Sequence, residues 1–228
     1  MPGEQTKLLE KLKNTGKPIV LILVNGSALS ANWASENIPS IVEAWYPGEE
    51  GGNAVADVLF GDYNPSGRLP VTFYKSVNDL PAFDDYSMKG RTYKYLTKDP
   101  LYPFGYGLSY SKFEYSDLKL SNVEISSNSV LLDVKVTNVS RFDGDEVVQV
   151  YVDYPATTKE KPLKSLVAFE KVKILNGKVA DIKITIPFEQ LRLFDTSVGD
   201  YTIPKGKYEF QVGASSADIR VRANLEIK

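Results

Sequence analysis

The sequence of 228 residues contains no cysteine and no histidine. Without histidine, a Ser-His-Asp or Cys-His catalytic arrangement cannot be assembled, and the most common zinc and iron ligand is absent. Without cysteine, disulfides, thiol catalysis and thiolate metal sites are excluded as well. Any chemistry must therefore use carboxylate, tyrosine, lysine, arginine or hydroxyl groups, and we predict no metal and no cofactor.

The sequence also lacks an excess of positive charge and a long apolar run. Its 27 basic and 29 acidic residues give a net charge of -2, whereas a protein that binds a nucleic-acid backbone needs a concentrated basic field. No apolar segment approaches the roughly 18 to 20 residues of a membrane span, and the polar start "MPGEQTKLLEKL" lacks the form of a signal peptide. We expect no nucleic-acid or membrane partner, and the compartment stays open because a cysteine-free chain suits cytoplasm, periplasm or exterior.

Hydrophobic residues make up 43% of the chain, which is enough to build globular domains. In the first part of the sequence the pattern alternates between helix and strand. Helical spacing of leucines predicts a helix that stops at Gly16, and a continuous apolar run predicts a strand buried on both faces over 19–24. A second short strand over 39–48 and a helix over 49–62 follow. We predict that residues 1–73 are part of an α/β sandwich domain.

The period changes to two after about Ser111. Leu132, Val134 and Val136 fall on one face of a predicted strand, with Asn138 next on the same face. Further alternating runs follow, namely "EVVQVYVDY", "LVAFEKVKI", "ADIKITIPF", "KYEFQVGAS" and "IRVRANLEI". About seven short runs separated by turn residues predict an all-β sandwich of fibronectin III or immunoglobulin type over residues 112–228.

Residues 74–111, which we call the strap, have neither period and are rich in tyrosine, proline and glycine. Because this segment is too aromatic for a free linker, we predict an ordered connection that packs its rings on both domains. Irregular aromatic segments are also places where ligands are contacted. Arg91 and Tyr93 in "GRTYKY" are therefore candidates for the rim of a sugar site, with interface packing as the alternative.

Two adjacent carboxylates, Glu49 and Glu50, precede the apolar part of the helix predicted over 49–62. Exposed N–H groups and the helix dipole favour carboxylates at such a position, so capping or packing is one interpretation. The other makes Glu50 half of a glycosidase pair, with a partner carboxyl group roughly 5 to 9.5 Å away. Sequence spacing does not fix that distance, and the possible partners by residue type are Asp62, Asp84 and Asp85.

Several segments together resemble the C-terminal portion of glycoside hydrolase family 3, the β-glucosidase and β-xylosidase family. The segments are "KPIVLILVNGSALSANWA", "IVEAWYPGEEGGNAVADVLFGDYNPSGRLPVTF", "GRTYKY" and "LYPFGYGLSYSKFEY". In the second half, "NVSRFDGDEVVQVYV" and "GKYEFQVGASSADIR" are similar to the fibronectin III-like domain that ends many such enzymes. The resemblance covers almost the whole chain.

The resemblance implies what the intact enzyme contains and this chain lacks. The family begins with a barrel that carries an aspartate nucleophile in an S-D-W type motif, and an early part of the α/β domain carries the glutamate acid/base. Neither segment is present, so the resemblance implies no catalytic residue in this chain and leaves Glu50, Arg91 and Tyr93 as substrate-rim candidates. It also implies hydrolysis of terminal β-linked glucose or xylose by the intact enzyme, for which a periplasmic or secreted location is plausible.

The expected partners follow from the same resemblance. They are the preceding barrel part of the enzyme and its carbohydrate substrate, and self-association is possible because an incomplete α/β domain exposes a sheet edge or apolar face. An alternative function is a non-catalytic carbohydrate-binding or scaffolding module that associates with a separate barrel protein. A third hypothesis is an autonomous glycosidase that uses Glu50 with an aspartate.

Overall fold

The computed structural model describes residues 1–121, 128–158 and 161–228. Its first elements are the helix α1 (Gln5–Lys13), the strand β1 (Val20–Leu23), the helix α2 (Asn32–Asn37), the strand β2 (Ser40–Glu43) and the helix α3 (Gly51–Phe60). β1 and β2 pair in parallel. α1 is followed by a turn that closes at Gly16 with φ of 71°, as predicted.

The prediction that the first strand is buried on both faces was wrong for this chain. α1 and α2 pack on one face of β1 and β2, where Leu21 joins a small core of Leu9 and Ala34. On the opposite face the exposed fractions are 45% for Val20 and 37% for Ile22, and no described element covers them. The apolar run is continuous because both faces are apolar, but only one of them has a partner.

The strap follows the α/β elements with little regular structure. It contains a 3₁₀ turn (Val77–Asp79) and the short helix α4 (Thr92–Tyr95). Phe73, just before the strap, pairs with Tyr102 through an isolated β-bridge, and their rings meet edge to face at 6.0 Å between centroids. This contact places Tyr102, in the later part of the strap, next to the residue that precedes the strap.

The second half is a two-sheet antiparallel sandwich, as predicted. Its strands are β3 (Phe113–Ser121), β4 (Ser129–Asn138), β5 (Gly144–Asp153), β6 (Ser165–Ile174), β7 (Val179–Pro187), β8 (Leu193–Asp195), β9 (Asp200–Thr202), β10 (Gly206–Gly213) and β11 (Ile219–Ile227). One sheet has the order β3-β4-β7 and the other β11-β10-β5-β6. β8 and β9 form a separate hairpin after a 3₁₀ turn (Phe188–Leu191).

The core of the sandwich lies between the two sheets. The predicted buried face of β4 is confirmed, since Leu132, Val134, Val136 and Asn138 are all buried. β3 does not show the same alternation, because Asp117 adopts a positive φ of 53° and the register with β4 shifts between Ser116 and Lys119. A bulge of this kind breaks the strict period by which a strand is recognised.

Buried polar contacts join the two halves. Arg68 Nη2 lies 3.2 Å from Glu146 Oε2 at the start of β5, and both side chains are buried. Further along β5, Gln149 Nε2 donates to the carbonyl of Gly105 in the strap at 3.1 Å. These contacts join parts of the chain on either side of the predicted boundaries. The boundaries at 73 and 111 themselves stay a prediction.

Candidate functional site

The carboxyl ends of the two parallel strands bring together polar side chains in the first half. In open α/β sheets, ligands bind outside the carboxyl ends of the strands. Glu43 ends β2, and its Oε1 accepts a hydrogen bond from Trp45 N at 3.1 Å. Within the described part of the chain, neither Glu43 Oε2 nor Asn25 Oδ1 has a hydrogen-bond partner, although both atoms are buried.

Burial is the main cause that raises the pKa of Glu43, and the Trp45 N–H and the nearby Asn25 side chain partly oppose it. Trp45 itself has a positive φ of 52°, which is strained for a residue other than glycine. Glu43 is not among the site residues predicted from the sequence. The signal that could have found it is an acidic residue that ends an apolar strand and immediately precedes "AWYPG".

Glu146 is a second buried carboxylate, and its contacts show a structural role. It faces Arg68 on one oxygen and accepts the hydroxyl proton of Tyr115 on the other at 3.0 Å. Burial raises the pKa of Glu146, and the Arg68 guanidinium opposes that rise. A carboxylate whose two oxygens are both engaged in the protein interior has no free position for a substrate.

Glu49 and Glu50 lie on the surface before α3. Glu50 occupies the N-cap position, but its side chain accepts no backbone N–H and instead accepts from Asn53 Nδ2 at 2.5 Å. The close approach at this helix start is made by Gly51, where an added Cβ would lie 2.5 Å from Pro47 Cγ. The electrostatic part of the capping interpretation fits this placement, whereas a direct capping hydrogen bond is absent from it.

Arg91 holds a loop of the strap together. Its guanidinium donates to three backbone carbonyls, those of Ala82 at 3.1 Å, Asp85 at 2.7 Å and Ser87 at 3.2 Å. Gly90, which precedes it, has φ of 74° and closes a turn from Met88 to Arg91. The Nε and Nη2 donors of Arg91 are thus engaged with the loop.

Tyr93 lies in the contact between the strap and the sandwich. Its ring stacks on Phe104 at 4.4 Å and meets Tyr151 edge to face at 5.8 Å. Its hydroxyl oxygen accepts a hydrogen bond from Leu166 N at 3.0 Å, and burial raises the pKa of this hydroxyl. These contacts are those of an interface tyrosine.

The described structure shows no hydrogen bond, ion pair or ring contact that joins Glu50, Arg91 and Tyr93 to one another. The freely accessible rings of the strap are instead Phe83 and Tyr86, whose exposed fractions are 99% and 93%. Both belong to the loop that Arg91 fixes. A rim role for the three candidates stays a prediction.

Within residues 1–121, 128–158 and 161–228, no group of three or more acidic side chains is placed to hold a metal ion. Among the helices of these ranges, none combines the length and the apolar character needed to cross a membrane.

The fold combines an α/β domain with a fibronectin III-like sandwich, and two family profiles match it in that order. The profile of the glycosyl hydrolase family 3 C-terminal domain matches residues 1–110, and that of the fibronectin type III-like domain matches residues 146–216. The chain belongs to glycoside hydrolase family 3, of which it carries the C-terminal domain and the fibronectin type III-like domain.

Relatives agree with this assignment. The chain is 44% identical over 220 residues to a xylan 1,4-beta-xylosidase of Xylanibacter ruminicola, covering 96% of this chain and 25% of that protein. It is 38% identical over 233 residues to a periplasmic beta-glucosidase of Salmonella typhimurium, covering 96% of this chain and 30% of that protein.

Among solved structures, a family 3 beta-glucosidase of Bifidobacterium adolescentis superposes with a TM-score of 0.90 at 31% identity. The match covers 99% of this chain and 35% of that one. The chain therefore spans about a quarter to a third of the length of the relatives it matches.

Proposed function

We propose that this chain is the non-catalytic C-terminal part of a glycoside hydrolase that removes terminal β-linked glucose or xylose. The observation that carries the proposal is the match over nearly the whole chain to a xylan 1,4-beta-xylosidase and a periplasmic beta-glucosidase. The substrate class is taken from these two names. Both sugars are pyranoses in β-linkage, so one type of reaction accounts for both names.

The contacts of the carboxylates support the proposed lack of activity of the chain on its own. A retaining glycosidase needs two carboxyl groups about 5 to 5.5 Å apart, one as nucleophile and one as acid/base. Glu146 is engaged with Arg68, and Glu50 is exposed at a helix start beside Asn53. The resemblance assigns the nucleophile and the acid/base to parts of the enzyme that precede this sequence.

The exposed face of β1 supports the preceding part of the enzyme as the main partner. Val20, Ile22 and Val24 present a row of apolar side chains on and just after a strand whose other face is buried. A parallel sheet is normally covered on both faces. For the same reason we expect the isolated chain to self-associate.

Hydrolysis of aryl β-xyloside and aryl β-glucoside by the purified chain tests the proposal. We expect no rate above the uncatalysed background for the wild type, for Glu50→Gln or for Glu43→Gln. A rate in the wild type that Glu50→Gln abolishes would instead establish the autonomous glycosidase. A rate that both variants retain would show a catalytic pair that includes neither residue.

A further inference from the structure

A cleft of about 820 Å³ lies where the segment after α3 meets the loop between β4 and β5. Its lining consists of residues 61–64, 141–145, Tyr110, Lys173 and Asn176. All of these residues belong to this chain. Its volume falls in the range of small-molecule sites, which occur preferentially between domains.

Asn64 fixes the two walls of the cleft to each other. Its Nδ2 donates to Ser111 Oγ at 2.9 Å and to the carbonyl of Asp143 at 2.8 Å. Its Oδ1 accepts from Ser109 Oγ and from Tyr110 N, both at 2.9 Å. The amide thus connects the first half, the end of the strap and the sandwich, and the walls of the cleft are held by contacts within the chain.

Three aromatic side chains line this fixed frame and remain half exposed. The exposed fractions are 48% for Tyr63, 48% for Tyr110 and 60% for Phe142. The Tyr110 hydroxyl donates to the carbonyl of Val58 at 2.6 Å, which holds its ring in place. The carbonyl of Phe142 accepts from Ser111 Oγ at 2.8 Å, which fixes the backbone of that wall. Rigid rings of this kind offer apolar area at little cost in conformational entropy.

Polar groups at the cleft have hydrogen-bonding capacity left over. Within the described ranges, the side chains of Asp62 and Arg141 form no hydrogen bond or ion pair. The lining contains three aspartates, one arginine and one lysine, so it provides no net positive field for an anion. Mixed charges beside aromatic rings suit a neutral ligand with many hydroxyl groups and apolar ring faces.

We propose that this cleft is a second, non-catalytic binding site for a short β-linked xylo- or gluco-oligosaccharide. Tyr63 and Phe142 pack on the apolar faces of sugar rings, and Asp62 and Arg141 bind hydroxyl groups. The choice of sugar rests on the proposed function, whereas the cleft itself does not. The site would hold the polymer near the enzyme while its end is hydrolysed elsewhere.

Saturation-transfer and protein-observed NMR titrations of the chain with xylohexaose and cellohexaose test this site. We expect saturable binding to at least one of the two sugars, with shifts of the Gly61 and Gly144 amides that line the cleft. Phe142→Ala and Tyr63→Ala should each weaken binding about tenfold. Phe169→Ala is the matched control, because Phe169 is similarly exposed at 66% but lies on β6 outside the cleft.

Absence of saturable binding by the wild type would overturn the proposal. So would binding that both cleft variants retain, or shifts confined to the strap loop around Phe83. Circular dichroism of each variant checks that the fold is intact. These titrations measure binding and not hydrolysis. The binding result can therefore be interpreted even if the intact enzyme is inactive or has another specificity.

Discussion

The Arg68–Glu146 ion pair is a buried contact between the two halves of the chain. Both side chains are buried, and the Tyr115 hydroxyl donates to the second oxygen of the carboxylate. Taking two charges out of water is costly, so the pair adds little net stability while intact. Removal of one partner, in contrast, leaves the other charge buried and uncompensated.

We therefore predict that Glu146→Gln lowers the free energy of unfolding by about 3 to 5 kcal/mol. Urea denaturation of the variant and the wild type measures the loss. Asp117→Asn is the control, since the Asp117–Lys135 ion pair of 2.8 Å is solvent-exposed and its removal should change the stability far less. Equal losses in the two variants would contradict the structural role given to Glu146.

The raised pKa of Glu43 leads us to expect that the stability of the chain depends on pH. Because burial raises its pKa above the ordinary value of 4.5, its favourable contribution is complete below that value and is lost as the pH rises through the folded pKa. The side chain of Glu43→Gln cannot ionise. The stability of the variant relative to that of the wild type should therefore rise between about pH 4 and pH 8.

Thermal melts of the wild type and of Glu43→Gln at both pH values measure that gain. A stability difference that stays constant with pH would show that the Glu43 carboxyl group titrates in the folded chain as it does in the unfolded one. Leu23→Met is the control, because it alters a buried neighbour on β1 that cannot titrate, and it should shift the melts at both pH values equally.

At the scale of elements, the strap is joined to the sandwich at Gly105. Its φ is 79°, and a Cβ at this position would overlap with Gln149 Oε1. Because the strap lies this close to Gln149, Gln149 Nε2 donates hydrogen bonds to the carbonyls of Gly105 and Ala214. The close passage of the strap over β5 therefore requires glycine.

Gly105→Ala should destabilise the chain by about 2 to 4 kcal/mol, because backbone strain and loss of the Gln149 contacts combine. Gly177→Ala separates the two effects. Gly177 also has a positive φ of 68° but no neighbouring atom within 4 Å, so only the strain of about 1 kcal/mol should appear. Similar losses in the two variants, measured by urea denaturation, would show that backbone strain alone acts and that the contacts of Gln149 with the strap contribute nothing.

The elements differ in how far the sequence alone could predict them. The face of β4 was predictable because each residue's burial follows from its own position in the alternation, as with Leu132 and Val134. The roles of Arg91 and Tyr93 were not, because their partners are set by the folded strap and by Leu166, which is 73 residues from Tyr93. The sequence shows which residues are aromatic or charged. It does not show which of these side chains remain free of contacts in the tertiary structure.

At the scale of the whole molecule, the polar contacts across the junction predict that the two halves unfold together. Trp33 and Trp45, the two tryptophans, lie in the first half, whereas most of the β-structure lies in the second. Tryptophan fluorescence and far-ultraviolet circular dichroism should therefore give the same urea midpoint. Two separate midpoints would show that the halves are independent and that the buried pair at Arg68 does not couple them.

The apolar face of β1 also concerns the whole molecule. Three aliphatic side chains lie exposed on and just after a parallel strand, and the relatives are about three to four times as long as this chain. The proposed function requires that the preceding part of the enzyme covers this face and supplies both catalytic carboxyl groups.

The most direct test mixes the chain with the part of the Xylanibacter ruminicola relative that precedes the matched region, and measures hydrolysis of aryl β-xyloside. We predict that neither piece is active alone, that the mixture is active, and that replacing the nucleophilic aspartate of the preceding part abolishes the rate. Activity of this chain alone, or a mixture that remains active without that aspartate, would contradict the proposed function.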